Sequence, residues 1–370
     1  MSFGLVLGGG GTRGSYHIGA YRALTELSKE PSLIVGTSIG AINGAVIAQG
    51  DFDILTKLWE NIALENVLKI PEGLRRSVNL FDIKNMPELI REVYLKKGID
   101  TTPLKKLIES VVDEKKLKES ETDFALVTVS VSDKKEVVMG KAEIPDGKLS
   151  DYLLASACFP GLKPVKIGTS VFIDGGVLNN IPINILAKKD IDDIAVIDVG
   201  GVGIVKDADV SGKNIITVRS CDPLVGILDF NETYIKQNIK YGYFDTLKAF
   251  GKCVGDRYYI ETQSFYKNRE FYSAELLSGL EKAAEVLGIE LFRIYTVEEL
   301  IAKVTTEYRT IPKEDGLPRM LKNLNEKSIV VALARAMISE NSDFLSSKIV
   351  TGLLGTSYAA ANAIAYFFKN

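Results

Sequence analysis

The chain has 370 residues, enough for two domains, and its 46% hydrophobic and 25% charged content is that of a globular protein. That balance excludes a disordered, collagen-like or multi-span membrane chain. The 45 Lys and Arg residues against 48 Asp and Glu leave a formal net charge of −3, without the basic stripe that would point to a nucleic-acid partner. One histidine, His17, and three cysteines without a CxxC pair (Cys158, Cys221, Cys253) rule out a His- or Cys-rich zinc site, so no metal is expected.

Short apolar runs alternate with helix-length amphipathic stretches, the pattern of a parallel sheet covered by helices. Phe3 to Leu7 reads as the first strand, followed by four glycines and a helix from about Arg13 to Lys29. Leu33 to Val35 is the second strand and feeds a helix starting at about Ile39. From 61 to 121 the strand signal gives way to a helical insertion or layer, which reads equally as a lid over an active site or as a layer on the sheet. In it, Met86, Leu89, Ile90, Val93 and Tyr94 share one helical face, as do Leu104, Leu107, Ile108, Val111 and Val112. Further strands are expected at Phe124–Val131, Glu136–Met139, Val171–Ile173, Ile194–Val199 and Ile215–Val218, and a long helix from Asn231 to Phe250.

The fold class is therefore α/β, with a first domain over 1–255 and a mostly helical region over 256–370. An aromatic cluster, Tyr258, Tyr259, Phe265, Tyr266, Phe271 and Tyr272, is expected to pack rather than to face lipid. The uncharged stretch Val350–Phe368 is interrupted by Gly352, Gly355 and Asn362, and reads as a buried closing helix rather than a membrane span. No basic n-region precedes the first apolar run, so a cytoplasmic chain is expected, with room for peripheral membrane contact.

Three turns carry the chemistry. Gly9-Gly10-Gly11-Thr12-Arg13-Gly14 lies between a strand and a helix, where glycines let backbone N–H groups approach an anion or an oxyanion. A dinucleotide-binding turn of this pattern expects an acidic residue at the end of the second strand, and a P-loop expects Gly-Lys-Ser/Thr. Neither is present, which weakens the reading as a nucleotide-binding oxidoreductase. The second strand ends instead in Gly36-Thr37-Ser38-Ile39-Gly40, a GxSxG elbow that exposes a serine hydroxyl at the sheet edge. Asp174-Gly175-Gly176 ends a later strand. As a base toward serine, Asp174 would need its pKa raised, and burial without a cationic partner is the physical route.

In this order the three motifs make the chain resemble the patatin-like phospholipase family, in its bacterial form. Ala155-Ser156-Ala157-Cys158-Phe159-Pro160-Gly161 and Asn179-Asn180-Ile181-Pro182 are supporting matches. The resemblance covers roughly residues 3–220. It implies a three-layer α/β/α fold around a mainly parallel sheet and a Ser38–Asp174 dyad without histidine. It also implies an oxyanion site of Gly9, Gly10, Gly11 and Arg13, with Gly36 and Gly40 framing the nucleophile. The implied activity is hydrolysis of carboxylic esters of phospholipids or related acyl lipids through an acyl-enzyme, with no cofactor. A non-catalytic patatin-fold binding protein is the alternative. His17 shares a helical face with Ala20, Tyr21 and Leu24, so a packing role is expected for it rather than that of general base.

Overall fold

The computed structural model describes residues 2–68, 98–224, 226–312, 325–339 and 355–369. Its main sheet uses β1 (Phe3–Leu7), β2 (Leu33–Thr37), β3 (Asp123–Ser130), β4 (Lys135–Gly140), β5 (Val165–Ile167), β6 (Ser170–Asp174), β7 (Asp193–Asp198) and β8 (Asn214–Arg219). The strand order is β5-β6-β3-β2-β1-β7-β8, with β4 paired to β3. The pairs β1–β2, β1–β7, β2–β3 and β7–β8 are parallel, whereas β3–β4, β3–β6 and β5–β6 are antiparallel. Every residue of β1 and β2 is buried, as expected for central strands with helices over both faces.

Register positions the candidate chemistry. Leu7 at the end of β1 lies opposite Gly36 of β2 and opposite Ile197 of β7. Thr37 lies opposite Val127 of β3, and the next residue of β3, Thr128, lies opposite Asp174 at the end of β6. The glycine loop, the serine turn and the aspartate therefore gather at one edge of the sheet, outside the carboxyl ends of the parallel strands.

The glycine loop is a 3-10 turn, Gly11–Gly14, and the following helix spans Ser15–Glu26, shorter at both ends than expected. Tyr16 of this helix donates a 2.9 Å bond to Asp245 on the long helix Glu232–Ala249 and so ties the two together. The strand Val165–Ile167 was not foreseen from the sequence; three residues are too few to give a period. In the helical layer, Thr102–Val111 buries Leu104, Ile108 and Val111, the spacing expected of a one-faced helix. The helix expected around Met86–Tyr94 lies outside the described residues.

The chain divides into two units, Met1–Ala249 and Phe250–Asn370. Within the second, the helices Ala274–Leu287, Glu326–Ile338 and Gly355–Lys369 contribute Leu277, Leu280, Val330, Leu333 and Ile364 to one apolar core. The last of these helices occupies the 355–368 part of the expected closing helix and buries Ala360, Ala361, Ala363 and Ile364. No helix among the described residues is long and apolar enough to cross a membrane. A small sheet of Cys253–Val254, Tyr259–Glu261 and Ile294–Tyr295 adds strand to a region read as helical. In the aromatic cluster Tyr258 and Tyr259 are buried, whereas Tyr266 and Phe271 are exposed.

Candidate active site

The turn after β2 is sterically specified. A Cβ on Gly36 would lie 2.3 Å from the Gly40 carbonyl oxygen, and one on Gly40 would lie 2.1 Å from that of Leu7. Only glycine lets the chain double back this closely, which explains both glycines of the elbow. Between them Ser38 has φ 57° and ψ −127°, a conformation that L residues avoid and that persists only where the surroundings hold it. Its N–H donates a 2.9 Å bond to Ser156 Oγ, which in turn donates to the Val127 carbonyl at 2.6 Å. Its carbonyl accepts from Ala41 and Ile42 in the first turn of the helix Ile39–Ala48.

Ser38 Oγ donates a 2.7 Å bond to Asp174 Oδ2, and Oδ1 of the same carboxylate accepts the Gly176 N–H at 2.7 Å. Both bonds favour the ionised carboxylate, yet Asp174 is only 5% exposed. Burial prevails over the two bonds and lifts its pKa from 3.8 to about 6. The carboxylate is thus more basic than a free one and still largely ionised at neutral pH. Neighbouring Cys158 is buried as well; burial and the Asp174 charge push its thiol to about 12, so it is no thiolate nucleophile.

The four residues expected to bind an oxyanion separate in the structure. Gly10 and Gly11 line the same cavity as Ser38 and Asp174, and among the described residues their N–H groups have no acceptor within the protein. Gly9 differs, because its N–H is taken by the Asn180 carbonyl at 3.1 Å. Arg13 also differs: it does not line that cavity, and its guanidinium donates to the Gly200 carbonyl from a partly buried position. Gly9 and Arg13 thus help hold the loop in place, while Gly10 and Gly11 line the cavity.

His17 is fully buried, and desolvation drives its pKa from 6.5 down to about 3, so it is neutral throughout the working range. Its Nδ1 accepts from Asn43 Nδ2 at 3.1 Å; the same amide donates to the Gly14 carbonyl and accepts from Trp59 Nε1 at 3.0 Å. The histidine therefore stands behind the cavity wall that Asn43 and Trp59 form. Sequence reading gave Asn43 no role. An asparagine within the otherwise apolar run Ile39–Ala48 was the available signal, since a buried amide must find partners. Ser156 carried no such signal, because its partner Ser38 is 118 residues away.

The cavity has a volume of about 240 Å³ and a mostly apolar lining. Ile39, Ile42, Leu58, Trp59, Leu104 and Leu107 form much of its wall, so the described part of the helical layer closes it on one side. Among the described residues no group of three His, Cys, Asp or Glu could hold a metal ion.

A family model described as patatin-like phospholipase matches residues 5–187, a stretch that contains the glycine loop, the serine elbow and Asp174. Residues 5–187 form a domain of the patatin-like phospholipase family. It is 27% identical over 190 residues to "Probable lipid hydrolase 463L" of Invertebrate iridescent virus 6, covering 50% of this chain and 63% of that one. It is also 27% identical over 199 residues to mouse "Patatin-like phospholipase domain-containing protein 6", covering 53% of this chain and 13% of the relative. Both relatives extend beyond the shared part. Among solved structures, VipD from Legionella pneumophila aligns over 99% of this chain and 90% of its own, at 15% identity and a TM-score of 0.43.

Proposed function

We propose that the chain is a serine lipid acyl hydrolase that cleaves carboxylic esters of phospholipids or related acyl lipids. The observation that carries this reading is the 2.7 Å bond from Ser38 Oγ to a buried carboxylate, at the wall of an apolar cavity. In the proposed reaction the acyl chain lies along Ile39, Ile42 and Trp59, and Ser38 Oγ attacks the ester carbonyl carbon. Asp174 takes the hydroxyl proton directly. The N–H groups of Gly10 and Gly11 bind the developing oxyanion, and collapse expels the alkoxide, which receives the proton back from Asp174. A water molecule, deprotonated by the same carboxylate, then attacks the acyl-enzyme and releases the fatty acid with Ser38 Oγ reprotonated. Every step uses groups of the chain and water, so the reaction as drawn needs no cofactor. The relatives' names, a probable lipid hydrolase and a phospholipase-domain protein, support the lipid substrate class.

The test is hydrolysis of a panel of phospholipids, lysophospholipids, acylglycerols and p-nitrophenyl esters by the full chain and three variants. Ser38→Ala is expected to abolish turnover with circular dichroism unchanged. Asp174→Asn should lower turnover by about 100- to 10,000-fold, the range for losing a general base. His17→Gln should cost far less. Equal losses from the last two would support a Ser-His arrangement and overturn the dyad, and an inactive wild-type chain would leave a binding protein on this fold.

A further inference from the structure

The loop after β7 displays aliphatic side chains to solvent. Val202 is 69% exposed, and Ile204 and Val205 are each 54% exposed. This is a local concentration: three of the 11 large exposed hydrophobic residues among the described residues fall within four positions.

The exposure does not come from slack chain. The Ile204 N–H donates to the Gly176 carbonyl at 3.0 Å, and the Ile204 carbonyl accepts from the Asn180 N–H at 2.6 Å. A Cβ on Gly201 would lie 1.8 Å from the Gly9 carbonyl oxygen, so the loop backbone sits directly on the glycine loop. Arg13 holds the preceding residue, Gly200, through its carbonyl. The backbone is fixed on several sides while its apolar side chains stand in water, which costs free energy unless something covers them.

We infer that Val202, Ile204 and Val205 form a membrane-docking tip that inserts into the surface of a phospholipid bilayer and sets the cavity mouth against it. Val202 lines the cavity that holds Ser38 and is also exposed, so the outer apolar surface is continuous with the inner one. An acyl chain could pass from bilayer to cavity without crossing water. The tip lacks the Trp, Tyr and Arg anchors that dominate protein–protein contacts. Its flanking cation, Lys206, is paired with Glu136, and Asp207 and Asp209 follow it in sequence. The docking is therefore driven by apolar burial, with little call on anionic lipid.

The inference extends the lipid-hydrolase reading to the way its substrate is reached, but vesicle binding can be measured without turnover. Full-length protein is sedimented with phosphatidylcholine vesicles at low and high salt, beside Ile204→Ser/Val205→Ser and Val205→Trp. Neither residue lines the cavity, so hydrolysis of a monomeric p-nitrophenyl ester should be unchanged in both variants. The serine pair should lower vesicle binding by about tenfold or more, Val205→Trp should raise it, and salt should matter little. Wild-type protein that does not sediment with vesicles, or variants that sediment like the wild type, would overturn the inference. So would self-association of the wild type that the serine pair abolishes, which would make a second copy the occupant. An inactive wild-type protein that still docks through these residues would remove the hydrolase reading alone.

Discussion

Asparagine in place of Asp174 keeps the shape of the side chain and removes its charge, so the variant measures what burial of that charge costs. The rise from 3.8 to about 6 corresponds to about 3 kcal/mol between the two protonation states. Because the folded-state pKa is the higher one, the stability linked to the proton is fully present below about 3.8. It is lost as pH rises through about 6. The wild-type protein therefore carries the whole cost at pH 8 and about half of it at pH 5. Asp174→Asn should gain on the wild type by roughly 1–2 kcal/mol between those two values. Any fixed offset from the new amide does not vary with pH and drops out of the comparison. Urea unfolding can be followed by the fluorescence of Trp59, the one tryptophan of the chain, which is 2% exposed in the cavity wall and so reports on the first unit. A pH-independent difference between the proteins, or a variant that loses ground as pH rises, would show that burial does not raise this carboxyl. The proposed base would then lack its physical support.

The same carboxyl should set the acidic limb of activity, with kcat/KM on a monomeric ester rising through about pH 6 as Asp174 ionises. That limb should persist in His17→Gln, since His17 already titrates near 3. Ser156→Ala should leave the Ser38 N–H without its acceptor, a cost of about 1–3 kcal/mol. The expected result is a roughly ten- to hundredfold loss in kcat at nearly constant KM, with Ser156→Thr restoring much of it. Gly40→Ala should lower stability by about 1–3 kcal/mol or more, read by urea unfolding, because its new methyl would press on the Leu7 carbonyl.

The strands of the sheet centre were legible because β1 and β2 are buried along their whole length and read as short, mostly apolar runs that lead into glycine turns. Ser38 and Asp174 were legible for a related reason: each ends such a run and is followed within two residues by glycine. What stayed hidden depends on partners far apart in the chain. Nothing local in Arg13 says that its guanidinium turns to Gly200 rather than into the cavity, or that the Gly9 N–H is spent on Asn180. The division of labour inside the glycine loop is set by the loop after β7 and by Asn180, both more than 160 residues downstream. The exposure of Val202, Ile204 and Val205 is not legible in the sequence, because short valine- and isoleucine-containing runs normally read as core.

The most direct test of the account is labelling of the full chain by a fluorophosphonate probe, with the modified residue located by peptide mass spectrometry. The account predicts one modified serine, Ser38, labelled faster as pH rises through about 6, unlabelled in Ser38→Ala and strongly slowed in Asp174→Asn. Failure to label, labelling of another serine, or an undiminished rate in Asp174→Asn would contradict it.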